Sequence, residues 1–504
     1  MRKKFKQISK KHYKNWKDFS KKKKFFFVFI LIFGILFLTG IYSSFKPLPK
    51  GTNFEGPVRL ISEEDIYFLS DLTYNLDNLS KEEYKREHEI FDKVFEIINN
   101  SQEFILIDMF LMGNSRDGYR NLSLELSQRL IEKKKENPEI IINFITDEFN
   151  TIYWSVEPLE IKKMKEAGIN VIYTDMTEMR DSNLIYSPIW RVFFQVLGKP
   201  DFDCEDSFFK IKGKGVCLRS FLRMANAKAN HRKVIVADNG NKSYSSVVTS
   251  ANPDDWGSGY SNVGVYFSDI SELARDIYFS EKAIADFSSG NFQEHGFDFE
   301  KQSKFERNSA KVQILTEGKI KQKILESIDN TVKGEQIDIT MFLLTEQEII
   351  NSLVKASERG VKIRIVLDKS NDLFNRDSKG VPNCPAGKDL VEKSNGQIKI
   401  RWYNTGEQQF HSKLVKISKN NGKVIVFIGS ANLTRRNIDN LNIEMVVKIL
   451  IDSDSRFVQD IENYYSLIWN SKEGKYTVKY DNHSCSFFSG IQYRVQEATG
   501  FSAF

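Results

Sequence analysis

Two stretches of the chain share a pattern that decides its fold. Residues 231–252 read HRKVIVADNGNKSYSSVVTSAN, and residues 411–432 read HSKLVKISKNNGKVIVFIGSAN. Each stretch begins with a histidine and a lysine two positions apart, continues with apolar runs, and ends with a serine and an asparagine two positions apart. Residues two apart on a strand project from the same face of a sheet, so each pair is expected to point one way.

The two stretches are related by a constant offset of 180 residues, which indicates a duplicated domain. Five pairs of positions keep this offset: His231 and His411, Lys233 and Lys413, Ser250 and Ser430, Asn252 and Asn432, and Asn262 and Asn442. The chain has six histidines, and the four outside the motifs are interpreted as packing or surface residues.

The segments before each motif repeat as well. Strand-like runs at 104–110 (FILIDMF) and 337–342 (IDITMF) are each followed by a helical stretch and by a second strand that ends in an acid. Strands that alternate with helices predict an α/β fold with mixed, mainly parallel sheets. Strand-end or buried hydrogen-bonding roles are predicted for four aspartates, Asp108, Asp147, Asp338 and Asp368.

The first half contains an insert of about fifty residues, 177–230, where the second half spends only residues 405–410. Within the insert, residues 185–198 (IYSPIWRVFFQVLG) are apolar and aromatic. One interpretation is a packed extra helix or loop, with Trp190 and the neighbouring phenylalanines in the core. The other is an interfacial element that enters lipid near the active site.

The N-terminus is strongly basic and is followed by an uncharged apolar run. Residues 1–24 contain twelve Lys/Arg and one acid, a balance of +11 within a total of +6, so the other 480 residues carry −5. An acidic folded part weighs against a nucleic-acid enzyme. The run Phe25–Ile41 is longer than the apolar region of a cleaved signal peptide, which favours an uncleaved anchor. The positive-inside rule then places the N-terminus in the cytoplasm and the catalytic domain outside.

Four cysteines, Cys204, Cys217, Cys384 and Cys485, form no CxxC pair. Outside the cytoplasm Cys204 and Cys217 are able to bridge and close a small loop. Four free, buried thiols are the alternative.

Brought together, the repeated motifs supply two imidazoles, two ammonium groups, two hydroxyls and two amides. This set offers donors to the non-bridging oxygens of a phosphodiester but no carboxylate cage for a divalent cation, so no metal or other cofactor is expected. One imidazole is able to attack phosphorus while the other protonates the leaving alcohol. The lysines then hold the charge that develops on the phosphoryl oxygens.

These motifs resemble the phospholipase D superfamily, whose signature is HxKxxxxD followed by a GSxN-like segment, twice per chain. The first copy matches at His231, Lys233, Asp238, Ser250 and Asn252. The second matches at His411, Lys413, Gly429, Ser430 and Asn432, with Ser418 where the acid is expected. The resemblance implies a duplicated phospholipase D-like α/β/α sandwich, together with the N-terminal transmembrane helix.

The resemblance also implies roles for the site residues. His231 is the expected nucleophile and His411 the expected acid, with the reverse assignment left open, and Ser250, Asn252, Ser430 and Asn432 are expected to bind the substrate phosphate. Glu444 matches the family's downstream acid, which orients the motif histidine. The first half has Gly264 at that offset, so Asp254 or Asp255 is the candidate to orient His231.

The expected activity is phospholipid hydrolysis or phosphatidyl transfer of the cardiolipin synthase kind. The alternatives are a nuclease and a non-catalytic lipid-binding protein, and no obligate oligomer is needed because both motifs lie in one chain. The expected organisation is a cytoplasmic tail (1–24), an anchor (25–45), a first half (46–290), a connector (291–310), a second half (311–472) and a C-terminal tail (473–504).

Overall fold

The fold is taken from a computed structural model, in which two large mixed sheets and the helices around them form the predicted α/β fold. The structure describes residues 20–75, 84–113, 119–211, 213–240, 242–254, 257–297, 309–370, 372–373, 376–404, 408–472, 474–480 and 487–500. Most of the predicted cytoplasmic tail, part of the connector, Asp255 and Cys485 lie outside the described residues.

The first half builds a sheet of eight strands. In spatial order they are Tyr84–Glu87, Ile66–Asn75, Asn262–Phe267, Tyr244–Thr249, Lys233–Asp238, Phe104–Met109, Ile141–Asp147 and Asn170–Thr174.

The second half builds a sheet of nine strands. In spatial order they are Arg59–Ser62, Ser309–Thr316, Met445–Asp452, Lys423–Gly429, Lys413–Ser418, Gln336–Met341, Lys362–Leu367, Lys399–Tyr403 and Thr477–Lys479. The strand Arg59–Ser62 precedes the strands of the first sheet in sequence but pairs antiparallel with Ser309–Thr316, so the first half supplies an edge strand to the second sheet.

Seven strands occur in the same order in both sheets, as a duplication requires. The prediction of mainly parallel pairing is wrong. In the first sheet only the last three strands, from Phe104–Met109 onward, pair in parallel, and the other neighbours are antiparallel. The motif strand of the first half is joined to the next strand by residues 239–243 alone, which are too few for the crossover that parallel neighbours require.

Helices cover the sheets and fill the space between the halves. Ser271–Phe287 and Arg456–Asn470 contribute to a hydrophobic core that contains residues of both sheets. Each half has one further hydrophobic core, which lies under its outer helices. These outer helices are Ile90–Asn100, Leu122–Glu136 and Leu159–Glu166 in the first half and Gly318–Asp329, Gln347–Glu358 and Asn383–Lys393 in the second; Arg435–Ile438 and Phe487–Thr499 are also helical.

Residues Lys21–Phe45 form one helix of 25 residues, capped at its start by the Ser20 hydroxyl. Its most apolar window has a mean hydropathy of 2.6 and is 6% buried. By length and composition the helix is able to cross a membrane.

The insert is ordered and carries a disulfide bond between Cys204 and Cys217. Its apolar stretch is helical from Tyr186 to Leu197, and a short helix, Leu218–Met224, follows a small hairpin. Trp190 is buried as expected, but Phe193 is 45% exposed, so the stretch is not simply a packed extra element.

Candidate active site

The two motif histidines meet at the junction of the two halves. Each immediately precedes a central strand of its sheet, and their ring centroids are 6.3 Å apart with ring planes inclined by 73°. Both side chains are buried. The structure therefore builds one site from the two motifs.

Backbone hydrogen bonds hold the two motifs against each other. The His231 N–H donates to the Ile443 carbonyl at 2.8 Å, and the Ile443 N–H donates to the Ala229 carbonyl at 3.0 Å. On the other side of the site the Ser261 N–H donates to the Gln409 carbonyl at 3.2 Å. Each histidine segment is thus supported by a segment of the opposite half.

Strand-end aspartates position the residue before each histidine. Asp147 accepts from the Asn230 N–H and Asp368 accepts from the Phe410 N–H, both at 2.7 Å. Burial raises the pKa of Asp147 to about 7, so the buried carboxyl group is able to bind a proton near neutral pH. The structure places both aspartates in the strand-end role that the sequence predicts.

Each imidazole is oriented by a residue of the opposite half. His231 Nδ1 lies 2.9 Å and 3.1 Å from the two carboxylate oxygens of Glu444. His411 Nδ1 lies 3.1 Å from Asn262 Oδ1. With Nδ1 engaged in both rings, Nε2 is the nitrogen that we expect to react.

The orienting pair corrects the alignment made from the sequence. Ser250 donates to Asn262 and Ser430 donates to Glu444, so Asn262 corresponds to Glu444 and not to Asn442. The offset at this point is 182 rather than 180, because two more residues separate serine and orienting residue in the second half. The sequence does contain a signal for this correspondence. In each half a polar residue stands at the start of the apolar strand that follows the Ser-x-Asn segment.

Asp254 does not orient His231 in the structure. Its Oδ1 accepts the Gly257 N–H at 2.9 Å, which fixes the turn after Asn252. Glu444 occupies the position beside His231 that the sequence assigned to Asp254 or Asp255.

The two lysines lie in equivalent places beside the histidines. Each ammonium donates to the carbonyl of its own motif histidine, and each lies over a phenylalanine ring: Lys233 is 5.0 Å from the Phe110 centroid and Lys413 is 5.4 Å from that of Phe342. Burial lowers the pKa of Lys233 to about 7, although Glu444 opposes this shift.

The electrostatics of the site favour an anionic ligand. Burial, together with Lys233 and Lys413, lowers the pKa of both histidines well below the ordinary value. Burial raises the pKa of Glu444 to about 7, with the lysines acting in the opposite direction. An anionic phosphodiester would supply negative charge to compensate the two buried ammonium groups.

The serines and asparagines of the motifs have different surroundings. The Ser250 and Ser430 hydroxyls are used to hold Asn262 and Glu444, so they support the histidines indirectly. The Oδ1 atoms of Asn252 and Asn432 are buried without a hydrogen-bond partner.

The structure separates Asp238 from the rest of the predicted site. Its carboxylate accepts from the Ser101 hydroxyl and from the backbone N–H groups of residues 102–104, at the far end of the motif strand. Burial alone would raise its pKa, but these hydrogen bonds hold the pKa below the ordinary value. In the second half, Ser418 stands at this place, and Glu335 ties the same turn by accepting from Lys419 and the Asn420 N–H.

Comparison with known proteins finds relatives of this fold. Residues 324–469 match the family described as cardiolipin synthase, PLD-like domain. These residues form a phospholipase D-like domain. The resemblance to the phospholipase D superfamily is thereby confirmed.

Among solved structures, the chain is similar to phosphatidylserine synthase of Haemophilus influenzae Rd KW20, with a TM-score of 0.56 and 12% identity over 88% of this chain and 94% of that one. Polyphosphate kinase of Porphyromonas gingivalis has a TM-score of 0.46 and 13% identity, over 83% of this chain and 49% of that one. Nuc, a phospholipase D family member of Salmonella typhimurium, has a TM-score of 0.26 and 21% identity, over 34% of this chain and 99% of that one. The first of these shares the phospholipase D-like fold over nearly the whole chain. A search of curated protein sequences finds no match.

Proposed function

We propose that the chain is a membrane-anchored phosphodiesterase or phosphatidyltransferase that acts on phospholipids through a covalent phosphohistidine. The observation that carries the proposal is the meeting of two buried imidazoles, each held at Nδ1 by the opposite half, between two buried lysines. Such a set can attack phosphorus, protonate a leaving alcohol and neutralise the phosphoryl oxygens.

The unequal orienting residues support His231 as the nucleophile. Glu444 is an acceptor when ionised, so it holds the proton of His231 on Nδ1 and leaves Nε2 with a free lone pair. Asn262 can accept through Oδ1 or donate through Nδ2, and its Nδ2 is buried without a hydrogen-bond partner. With the amide turned so that Nδ2 faces His411 Nδ1, a neutral His411 would carry its proton on Nε2, as a general acid requires.

The reaction proceeds in two displacements. His231 Nε2 forms a bond to phosphorus, the bond from phosphorus to the leaving alcohol oxygen breaks, and His411 gives its proton to that oxygen. Glu444 offsets the positive charge that develops on the phosphorylated imidazole. Water or a second alcohol then loses a proton to His411 and attacks phosphorus, and the bond to His231 breaks.

Three observations support a lipid substrate and an extracytoplasmic site. The apolar helix Lys21–Phe45 precedes the domain, and the chain after residue 24 is net acidic. Cys204 and Cys217 are joined, Cys384 is also disulfide-bonded, and structural disulfides persist in oxidising compartments. With the basic tail inside, the catalytic domain lies on the outer side of the membrane.

The experiment that tests the proposal is head-group release by the full chain in phospholipid vesicles, with excess EDTA. The His231→Asn variant is compared with His88→Asn, a half-buried histidine on the edge of the first sheet, as the matched control. We expect release that survives EDTA, persists in His88→Asn and is lost in His231→Asn. Adding glycerol or phosphatidylglycerol separates transfer from hydrolysis.

Two other outcomes decide against the proposal. Cleavage of single-stranded DNA without head-group release would favour the nuclease. No turnover of either substrate, with vesicle binding unchanged in His231→Asn, would favour a lipid-binding protein without activity.

A further inference from the structure

The insert presents a cluster of exposed apolar side chains, which we call the apolar platform. Its members lie on the helical stretch and its flank, on the disulfide-closed hairpin and on the following helix. They are Leu184, Ile185, Phe193, Val196, Leu197, Phe208, Phe209, Leu218 and Phe221. Val196 and Phe208 are 82% and 95% exposed. So many large apolar side chains in one short segment indicate a contact surface.

The parts of the platform contact one another. The Phe209 and Phe221 rings are stacked with centroids 6.3 Å apart, and Phe208 lies 5.9 Å from Phe209. Arg219 donates to the Leu197 carbonyl at 2.9 Å, which links the helix Leu218–Met224 to the end of the apolar stretch. The hairpin, the helix Leu218–Met224 and the end of the apolar stretch are therefore held together.

The end of the N-terminal helix is packed directly on the insert. Gly40 faces Pro188, where an added Cβ would lie 3.0 Å from the proline ring. The Asp181 N–H donates to the Ser43 carbonyl at 3.1 Å, and Lys46 donates to the Thr177 carbonyl at 2.9 Å. Gly40 stands five residues before the helix end at Phe45, about 8 Å at 1.5 Å per residue. This distance matches the depth of about 5–10 Å to which interfacial helices enter a bilayer.

The platform also adjoins the candidate active site. His231 contacts Phe110 with centroids 5.0 Å apart, Phe110 contacts Phe149 at 5.9 Å, and Phe149 contacts Tyr153 at 6.2 Å. The Ser220 hydroxyl, on the last helix of the insert, donates to the Tyr153 carbonyl at 2.7 Å. A row of aromatic side chains therefore leads from His231 to Tyr153, and the insert is attached to the backbone of Tyr153.

We propose that the apolar platform inserts into the outer leaflet beside the N-terminal helix and presents the His231 side of the site to phospholipid head groups. This inference rests on the membrane anchoring in the proposed function. The continuity of the platform with the lipid-exposed helix identifies the bilayer, rather than a protein, as the partner. Exposed charges around it are mixed, with Lys199, Lys210 and Lys214 beside Asp201, Asp203, Glu205 and Asp206. Binding is therefore expected from apolar burial, with little dependence on salt.

The test uses single added cysteines in the full chain, reconstituted in phosphatidylcholine vesicles. None of the described cysteines is free, so an environment-sensitive fluorophore will label the added thiol. The probe positions are V196C and F208C, with F37C in the helix as the membrane reference and V332C, 54% exposed in the second half, as the aqueous control. Fluorescence position and quenching by nitroxide-labelled lipids are measured.

We expect blue-shifted, lipid-quenched emission at 196, 208 and 37 and water-like emission at 332. Water-like emission at 196 and 208 with a quenched probe at 37 would overturn the platform while leaving the anchor intact. A blue shift at 196 and 208 without lipid quenching would overturn it in favour of a second copy of the chain. Water-like emission at 37 would instead overturn the anchor, and with it the basis of the inference.

A second measurement separates docking from chemistry. In the V196D/F208D double variant we expect head-group release from vesicles to fall on the order of tenfold, because two charges oppose insertion. Release from a short-chain phospholipid below its micellar concentration should stay within about twofold of wild type, since neither residue belongs to the site. Equal loss on both substrates would overturn the docking role.

Discussion

The two halves share a strand order but differ in the residue that follows the motif histidine and in the side chains that it contacts. In the first half, the buried guanidinium of Arg232 binds Glu281 of the same half and Glu317 of the second half, and Asp108 lies nearby on the adjacent strand. In the second half, Ser412 replaces Arg232 and hydrogen-bonds to Thr340 and Tyr464. The residue after the motif histidine is thus a buried cation in the first half and a hydroxyl group in the second.

This difference concerns the half that carries the proposed nucleophile. Arg232 donates to the Glu444 carbonyl at 3.2 Å, and Glu317 accepts the Glu444 N–H at 3.1 Å. The charged network around Arg232 joins the two halves and fixes the backbone of the residue that orients His231. A histidine that must attack at a defined angle benefits from such a rigid support, whereas an acid that only transfers a proton needs less.

The largest expected effect tests whether the histidines have different roles. His231→Asn should lower kcat by at least about 10⁴-fold with any phosphodiester, because it removes the nucleophile. His411→Asn should lower the rate of phosphoenzyme formation as much with an alkyl leaving group, but at least about tenfold less with p-nitrophenol, which leaves without a proton. The measurement is the rate of the first turnover with both substrates, and the reverse pattern would exchange the two roles.

The next effect concerns stability. Arg232→Met leaves two buried carboxylates without their cation and should lower the free energy of unfolding by about 3–5 kcal/mol. Ser412→Ala, the matched change in the second half, should cost only about 1 kcal/mol. Denaturant midpoints of the two variants, followed by tryptophan fluorescence, check the prediction. Equal costs would show that the two networks contribute alike.

A third change tests the orienting pair. Glu444→Gln should lower kcat by about 10²–10³-fold, because an amide can donate to Nδ1 of His231 and displace the reactive tautomer. Asn262→Gln, which keeps an amide beside His411, is the control. In this variant the ratio of kcat with an alkyl leaving group to kcat with p-nitrophenol should stay as in the wild type. The readout is kcat together with the rate of phosphoenzyme formation in rapid-quench experiments. Unchanged phosphoenzyme formation in Glu444→Gln would contradict the orienting role.

A smaller effect is expected for Asp238. Asp238→Asn weakens several hydrogen bonds to backbone N–H groups and should lower stability by about 1–3 kcal/mol with kcat nearly unchanged. Ser418→Ala at the corresponding place should be close to neutral. Thermal unfolding and kcat of both variants are measured. A large loss of kcat in a folded Asp238→Asn variant would return Asp238 to the catalytic set.

The smallest effect is a shift of the pH profile. His231 must be unprotonated to attack, and its lowered pKa places the acidic limb of kcat/KM below pH 6.5. Lys233 must be protonated to hold phosphate, and burial lowers its pKa to about 7, so kcat/KM should fall above about pH 7. In Lys233→Arg, which stays charged, the alkaline limb should move upward. An alkaline limb unaffected by this change would assign it to another group, with Lys413→Arg as the next variant.

The repeated His-x-Lys motifs were sufficient to predict the duplication, the α/β class and the meeting of His231 with His411. Repetition in sequence reports on strand order, because each copy must build the same sheet. It does not report on contacts between the copies, and for that reason the sequence alone does not predict that Glu444 contacts His231 of the opposite half. The pairing of Asn262 with Glu444 was hidden by a loop that is two residues longer in the second half.

Asp238 illustrates a different limit. A family signature marks an acid at this place, but only the structure shows that its oxygens face backbone N–H groups and not the histidines. Glu335 performs the equivalent task from the other side of the turn, and a search at fixed spacing cannot detect such an exchange.

Glu444 and Asn262 each contact the motif histidine of the opposite half, so neither half alone contains a complete site. A half expressed alone would hold an imidazole whose Nδ1 faces water, with neither the tautomer nor the angle that the reaction needs. Two separately expressed halves, divided between residues 297 and 309, would regain turnover only on reassembly. Activity would then report the proximity of whatever partners were fused to them.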